Sequence, residues 1–84
     1  MATQEEFDSA VTAVKGLPKT PDNQSLLDLY AAFKQATVGD VSGKRPGMLD
    51  VKGRAKYDAW AKLKGTSTED ARSKYVAKVR ALGA

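Results

Sequence analysis

An all-α fold, a bundle of four helices, is what this 84-residue sequence predicts, and three observations predict it. Apolar residues recur every three or four positions in four separate stretches. Each stretch opens on a Thr or Asp able to cap a helix, and the first three close at a glycine. Nowhere does the chain alternate apolar and polar residues with the period of two that a half-buried strand requires.

The first helix starts at a capping box, Thr3 with Glu6, and carries Phe7, Ala10, Val11 and Val14 before Gly16. Leu17 to Asp22 contains Pro18 and Pro21, which break that helix and leave Thr20 or Asp22 to cap the next. Leu26, Leu27, Tyr30, Phe33 and Thr37 give the second helix an apolar stripe, and Gly39 ends it. Gly39 to Leu49 is an irregular connection punctuated by Gly43, Pro46 and Gly47. Loops near this length usually cross over something or serve a site. Asp50 caps a third helix whose apolar face is Tyr57, Trp60, Ala61 and Leu63, with Gly65 as its stop. Thr66 with Glu69 reads as a second capping box. The last helix sets Ala71, Tyr75, Val76, Val79 and Leu82 on its buried side and an Asp70–Lys74 ion pair on its exposed side. Short connections after helices one and three predict antiparallel neighbours, whereas the long loop lets helices two and three run parallel.

Length allows one domain, residues 1–84, with an economical core, because a chain this small buries only about 60% of its unfolded surface. Cysteine and histidine are both absent, which removes disulfides, zinc-finger spacings, thiol nucleophiles and imidazole bases. No nucleophile and base stand at a useful spacing, so no catalytic residue is expected and an enzyme is disfavoured. The N-terminal segment has neither the basic nor the apolar region of a secretory signal, and no apolar run approaches a membrane span. The expectation is a cytoplasmic protein, and a monomer, since a bundle core leaves no apolar stripe over.

The net charge of +4 is unevenly spread. Residues 1–43 hold three lysines against six carboxylates, which leaves +7 on residues 44–84. That asymmetry argues for an anionic partner met mainly by the second half. Tyr30, Phe33 and Lys34 stand at i, i+3 and i+4, and Lys52, Lys56 and Trp60 repeat the pairing of ring and ammonium beyond the loop. Rings stack and lysines neutralise phosphates, so the pattern suits a ligand flat and apolar in one part and anionic in another. On spacing alone, though, Tyr30 and Phe33 share a stripe with Leu26 and Leu27 and read as core, while Lys34 and Lys56 read as solvated surface. A small basic helical nucleic-acid-binding domain is the competing class. The scatter of the basic residues and the ten acids among them weigh against it.

The blocks KQATVGD, RPGMLD, KGRAKYDAW and LKGTSTEDA, in this order and spacing, resemble the signature blocks of the acyl-CoA-binding protein family. The resemblance runs from Phe7 to Leu82 and implies an up-down-down-up bundle. It implies a carrier of medium- and long-chain acyl-CoA esters, with no metal and no cofactor. Acyl-CoA-using enzymes and membranes would be its transient donors and acceptors. Tyr30 and Lys34 on the second helix and Lys56 on the third match the family's coenzyme A headgroup residues, and Lys15 and Tyr75 match two further positions. Phe33 falls where many relatives have tyrosine; it can still stack on adenine but lacks a hydroxyl, a hydrogen bond of roughly 0.5–1.5 kcal/mol net. Val11, Leu26, Leu27 and Ala55 match the acyl-chain slot. The long loop, Lys52 and Trp60 are expected to be structural.

Overall fold

The computed structural model describes residues 2–83, in four α-helices and one short 3-10 turn. Helix α1 spans Gln4–Ala13 and runs into the 3-10 turn Val14–Gly16; α2 spans Asn23–Thr37, α3 Val51–Ala61 and α4 Thr68–Ala81. The capping box at Thr3 forms as predicted, with Glu6 N–H donating to Thr3 Oγ1 and Thr3 N–H donating to Glu6 Oε1. Of the two candidate caps for α2, Asp22 takes the position and accepts from Ser25 N–H. Asp50 caps α3 by accepting from Gly53 N–H.

Which residues meet fixes the helix directions. Asn23 and Leu26 at the start of α2 line one cavity with Val51 and Lys52 at the start of α3. At the far ends, Trp60 Nε1–H donates to Gln35 Oε1 and to the Gly39 carbonyl. Helices α2 and α3 are therefore parallel. Thr66, just before α4, meets Gln35 near the end of α2, while Lys78 near the end of α4 pairs with Asp28 early in α2, so that pair is antiparallel. Ala2 meets Ser73 and Glu6 meets Arg80, which makes α1 and α4 parallel. The result is up-down-down-up. Helix α2 packs on both α3 and α4, and α1 packs on α4, giving a shallow layer of helices with extents of 34 × 28 × 15 Å.

The core sits between α1, α2 and α4: Phe7 and Ala10, then Leu29, Ala32 and Ala36, then Ala71, Tyr75, Val76 and Val79. Two predicted faces differ from this. The buried face of α2 is Ser25, Leu29, Ala32, Gln35 and Ala36, not the Leu26–Tyr30–Phe33–Thr37 stripe. Small residues let α4 approach α2 closely, and the larger stripe is turned to the outside. Helix α3 buries no residue fully; Tyr57, Trp60, Ala61 and Leu63 are half-buried.

Two polar expectations also change. Ser67, not Thr66, caps α4 and accepts from Asp70 N–H. Thr66 belongs to the turn that closes α3, where its N–H donates to Leu63 and its carbonyl accepts from Gln35. Asp70 and Lys74 are not among the ion pairs of the described residues; Asp70 lies in the first turn of α4, where the helix dipole favours a carboxylate. Lys78 reaches Asp28 on α2 at 3.4 Å.

With little burial to hold it, α3 is fixed by directional bonds. Arg45 forms a bidentate pair with Asp58 at 2.8 and 2.7 Å, and Tyr57 Oη–H donates to the Gly43 carbonyl. Buried Gln35, at 0% exposure, is the centre of the joint. Its Nε2 donates to Asp40 Oδ1 and to the Thr66 carbonyl, both at 2.8 Å. Gly39 and Gly65, at φ 97° and 90°, supply the left-handed backbone that lets the chain turn into and out of this joint.

Asp40 also accepts from Gly65 N–H, and this bond, then the Gln35 amide, holds its carboxyl below the usual carboxylate value. A depressed folded-state pKa contributes stability that is present above the unfolded value and lost as pH falls through the folded one. The thermal midpoint should therefore fall more steeply for the parent than for Asp40→Asn below about pH 4. Melting curves across that range check it; a gap between the two proteins that does not change with pH would show that the charge contributes nothing.

Candidate functional site

The outward stripe of α2 faces α3 across a cavity of about 400 Å³. Leu26, Leu27, Ala55 and Val51 give it apolar walls, and Tyr30, Lys52 and Lys56 close its polar edge. The cavity exists because α3 is held by the Gln35–Trp60 joint at its far end rather than by close packing along its length. Among the predicted slot residues, Leu26, Leu27 and Ala55 meet here. Val11 does not line this cavity: it is half-buried on α1, packed against the core.

Three of the predicted headgroup residues come together. Lys56 Nζ stands 5.4 Å from the centroid of the Tyr30 ring, and Lys34 Nζ stands 5.9 Å from the same ring and 5.7 Å from that of Trp60. Ammonium groups at this distance from an aromatic face are attracted by its quadrupole, so the rings hold two like charges near one another. Among the described residues the ion pairs are Arg45–Asp58, Lys78–Asp28 and Arg80–Glu6. Neither Lys34 nor Lys56 is thus neutralised by a carboxylate, and together they present two positive charges to a multiply charged anion.

Phe33 is 36% exposed and is not among the residues that line the cavity. It stacks on Phe7 at 5.9 Å between centroids and stands 6.1 Å from Tyr75, which packs edge-on to Phe7 at 5.1 Å. One ring of this trio is open to a ligand, and the other two are core. Tyr75 is buried, and that burial pushes its hydroxyl pKa up, so it remains a neutral donor. Lys15 is exposed in the 3-10 turn and lies outside the Tyr30–Lys34–Lys56 group.

Sequence reasoning missed Gln35, which aligns α3 against α2, and set aside Lys52, which lines the cavity. The signal for Gln35 was a single amide inside an alanine-rich helix segment, AAFKQAT. Among the described residues no cluster of acidic side chains could hold a metal ion, and no helix is long and apolar enough to cross a membrane.

Fold and site define a small all-helical binding module, with an apolar slot between two parallel helices and a cationic, aromatic rim. The family model described as Acyl CoA binding protein matches residues 4–79, and the chain belongs to that family. It is 52% identical over 83 residues to the Acyl-CoA-binding protein homolog of Manduca sexta, covering 98% of this chain and 92% of the relative. To the Acyl-CoA-binding protein of Brassica napus it is 48% identical over 82 residues, covering 98% and 89%. Two crystal structures share its fold. Acyl-CoA-Binding Protein 2 of Oryza sativa superposes with a TM-score of 0.89 at 46% identity, covering 94% of this chain and 86% of the other. The protein from Moniliophthora perniciosa superposes with a TM-score of 0.90 at 46% identity, covering 96% and 80%.

Proposed function

We propose that the protein binds medium- and long-chain acyl-CoA esters and carries them, chemically unchanged, as a cytoplasmic monomer that forms a protected pool. The observation that carries this reading is the convergence of Lys34 and Lys56 on Tyr30 at the edge of an apolar cavity. The two ammoniums and the Tyr30 hydroxyl suit a ribose phosphate, for which charge-assisted hydrogen bonds are the strong ones. Phe33 offers a face on which the adenine can stack, and Lys15 and the buried Tyr75 join the headgroup site on their match to the family's positions. Leu26, Leu27 and Ala55 take the acyl chain, with Val11 as a more remote contributor from α1. Nothing favours the nucleic-acid alternative: Arg45, Lys78 and Arg80 are tied to carboxylates, and Lys34 and Lys56 are gathered over rings.

Each methylene taken out of water contributes roughly 0.8 kcal/mol, about fourfold in affinity. Isothermal titration with a series of saturated acyl-CoAs should therefore show affinity rising by about that factor per methylene until the slot is full. Free coenzyme A, which lacks the chain, and the matching free fatty acid, which leaves both lysines without their phosphate, should each bind far more weakly than the ester. Equal affinity for the ester and the free acid would overturn the reading. Release of free coenzyme A during incubation would show an enzyme instead of a carrier.

A further inference from the structure

The largest apolar side chains open to solvent include three that lie close together in the chain: Met48 at 82% exposure, Leu49 at 101% and Val51 at 72%. Met48 and Leu49 occupy the tip of a tight turn closed by Asp50 N–H donating to the Gly47 carbonyl at 3.0 Å. Turn tips ordinarily carry Gly, Asn, Asp or Ser. This turn is also firmly held, by the Asp50 cap on one side and by Arg45 bound to Asp58 on the other. The exposure is therefore built into the turn, and two bulky apolar residues there contribute nothing to the core. Val51, next in line, already lines the cavity mouth.

We propose that the Gly47–Val51 tip is a membrane-docking point, which inserts Met48 and Leu49 among the headgroups of an anionic leaflet and sets the cavity mouth against the bilayer. The inference rests on the reading of that cavity as an acyl slot. An acyl chain could then pass between bilayer and slot without crossing water. A bilayer fits better than a protein partner because specific protein interfaces need on the order of 800 Å² a side, far more than a two-residue convex tip offers. Charge points the same way: Lys44, Lys52 and Lys56 are exposed around the tip, while the nearby carboxylates of Asp50 and Asp58 are engaged in the helix cap and the Arg45 pair. Lysines beside a leaflet are attracted to anionic lipid.

The test compares the parent chain with Leu49→Asp and with Val38→Asp. Val38 is a 59%-exposed apolar residue just past the end of α2, a helix roughly 22 Å long whose other end meets the start of α3 beside the tip. Co-sedimentation with phosphatidylcholine vesicles, with and without phosphatidylglycerol, reads docking directly and requires no acyl-CoA. Leu49→Asp should reduce partitioning onto phosphatidylglycerol vesicles by about tenfold, and Val38→Asp should leave it unchanged. The rate at which palmitoyl-CoA moves between protein and vesicles should rise with vesicle concentration for the parent and lose that dependence in Leu49→Asp. Palmitoyl-CoA affinity in lipid-free buffer should stay within about twofold. Unchanged partitioning of Leu49→Asp would overturn the proposal, and so would loss of its lipid-free affinity, which would make Leu49 part of the ligand site. A parent that self-associates through Leu49 in the absence of lipid would make a second copy the occupant and overturn it as well. A parent that docks on vesicles yet fails to bind palmitoyl-CoA would instead overturn the carrier reading, so the two failures are distinguishable.

Discussion

Gln35→Ala is expected to lower the stability of the protein by about 3 kcal/mol, from an unsatisfied carbonyl together with a cavity. Gln35 is fully buried and bonds three partners from three parts of the chain: Asp40 in the loop, Thr66 before α4 and Trp60 on α3. Asp40 keeps Gly65 N–H and Trp60 keeps the Gly39 carbonyl, so the loss falls mainly on Thr66 and on packing at the joint. For a domain of this size the thermal midpoint should drop by about 15 °C, followed by circular dichroism. Gln35→Leu separates the two causes. If lost volume dominates, Leu restores most of the stability; if the amide bonds dominate, Leu stays near Ala. A drop of under about 2 °C for Gln35→Ala would mean that the joint does not hold α3.

Lys56→Ala should weaken palmitoyl-CoA binding by more than about tenfold, the equivalent of 1.4 kcal/mol, and leave the folded protein intact. The side chain is exposed, belongs to no ion pair and touches the rest of the molecule mainly through the Tyr30 ring, so its removal creates no cavity. Its worth is therefore read in the ligand. A charge-assisted contact to phosphate is worth about 1.5–3 kcal/mol. Removing the 3′-phosphate from the ligand should cost a similar amount, and the two losses should not add if Lys56 and that phosphate are partners. Affinity of the parent should also fall more steeply with salt than that of the variant. Full additivity, or unchanged affinity, would take Lys56 out of the headgroup site.

The two predictions differ in what made them legible. Lys56 is found in the sequence by resemblance, in KGRAKYDAW, although spacing alone makes it one exposed lysine among many. Gln35 lies in an equally characteristic block, KQATVGD, but nothing local reveals its three partners, which are separated from it by 5, 25 and 31 residues. Helix α2 shows the same limit. Its periodicity marks Leu26, Leu27, Tyr30 and Phe33 as an apolar stripe, yet Leu26, Leu27 and Tyr30 line the cavity and Phe33 stacks on Phe7, while Leu29, Ala32 and Ala36 face the core. Hydrophobic period reports that a face will leave water; it does not say whether protein or ligand will cover it. The cap of α4 slipped from Thr66 to Ser67 because the stronger claim on Thr66 is tertiary.

What the sequence determined by itself is local or compositional. Caps, glycine stops and 3.6-residue periodicity set four helices, because each rests on interactions within a turn or two of chain, and the long loop allowed the second and third to run parallel. Cys and His were excluded by inspection. The tertiary structure alone decided which face of α2 is core, that α3 is attached by a Gln35–Trp60 joint rather than by burial, and that Lys34 and Lys56 share one aromatic ring. It also decided that Met48 and Leu49 stay in solvent. These depend on how helices distant in sequence approach one another. Side-chain size and a few directional hydrogen bonds set that approach, and neither leaves a periodic trace in the chain.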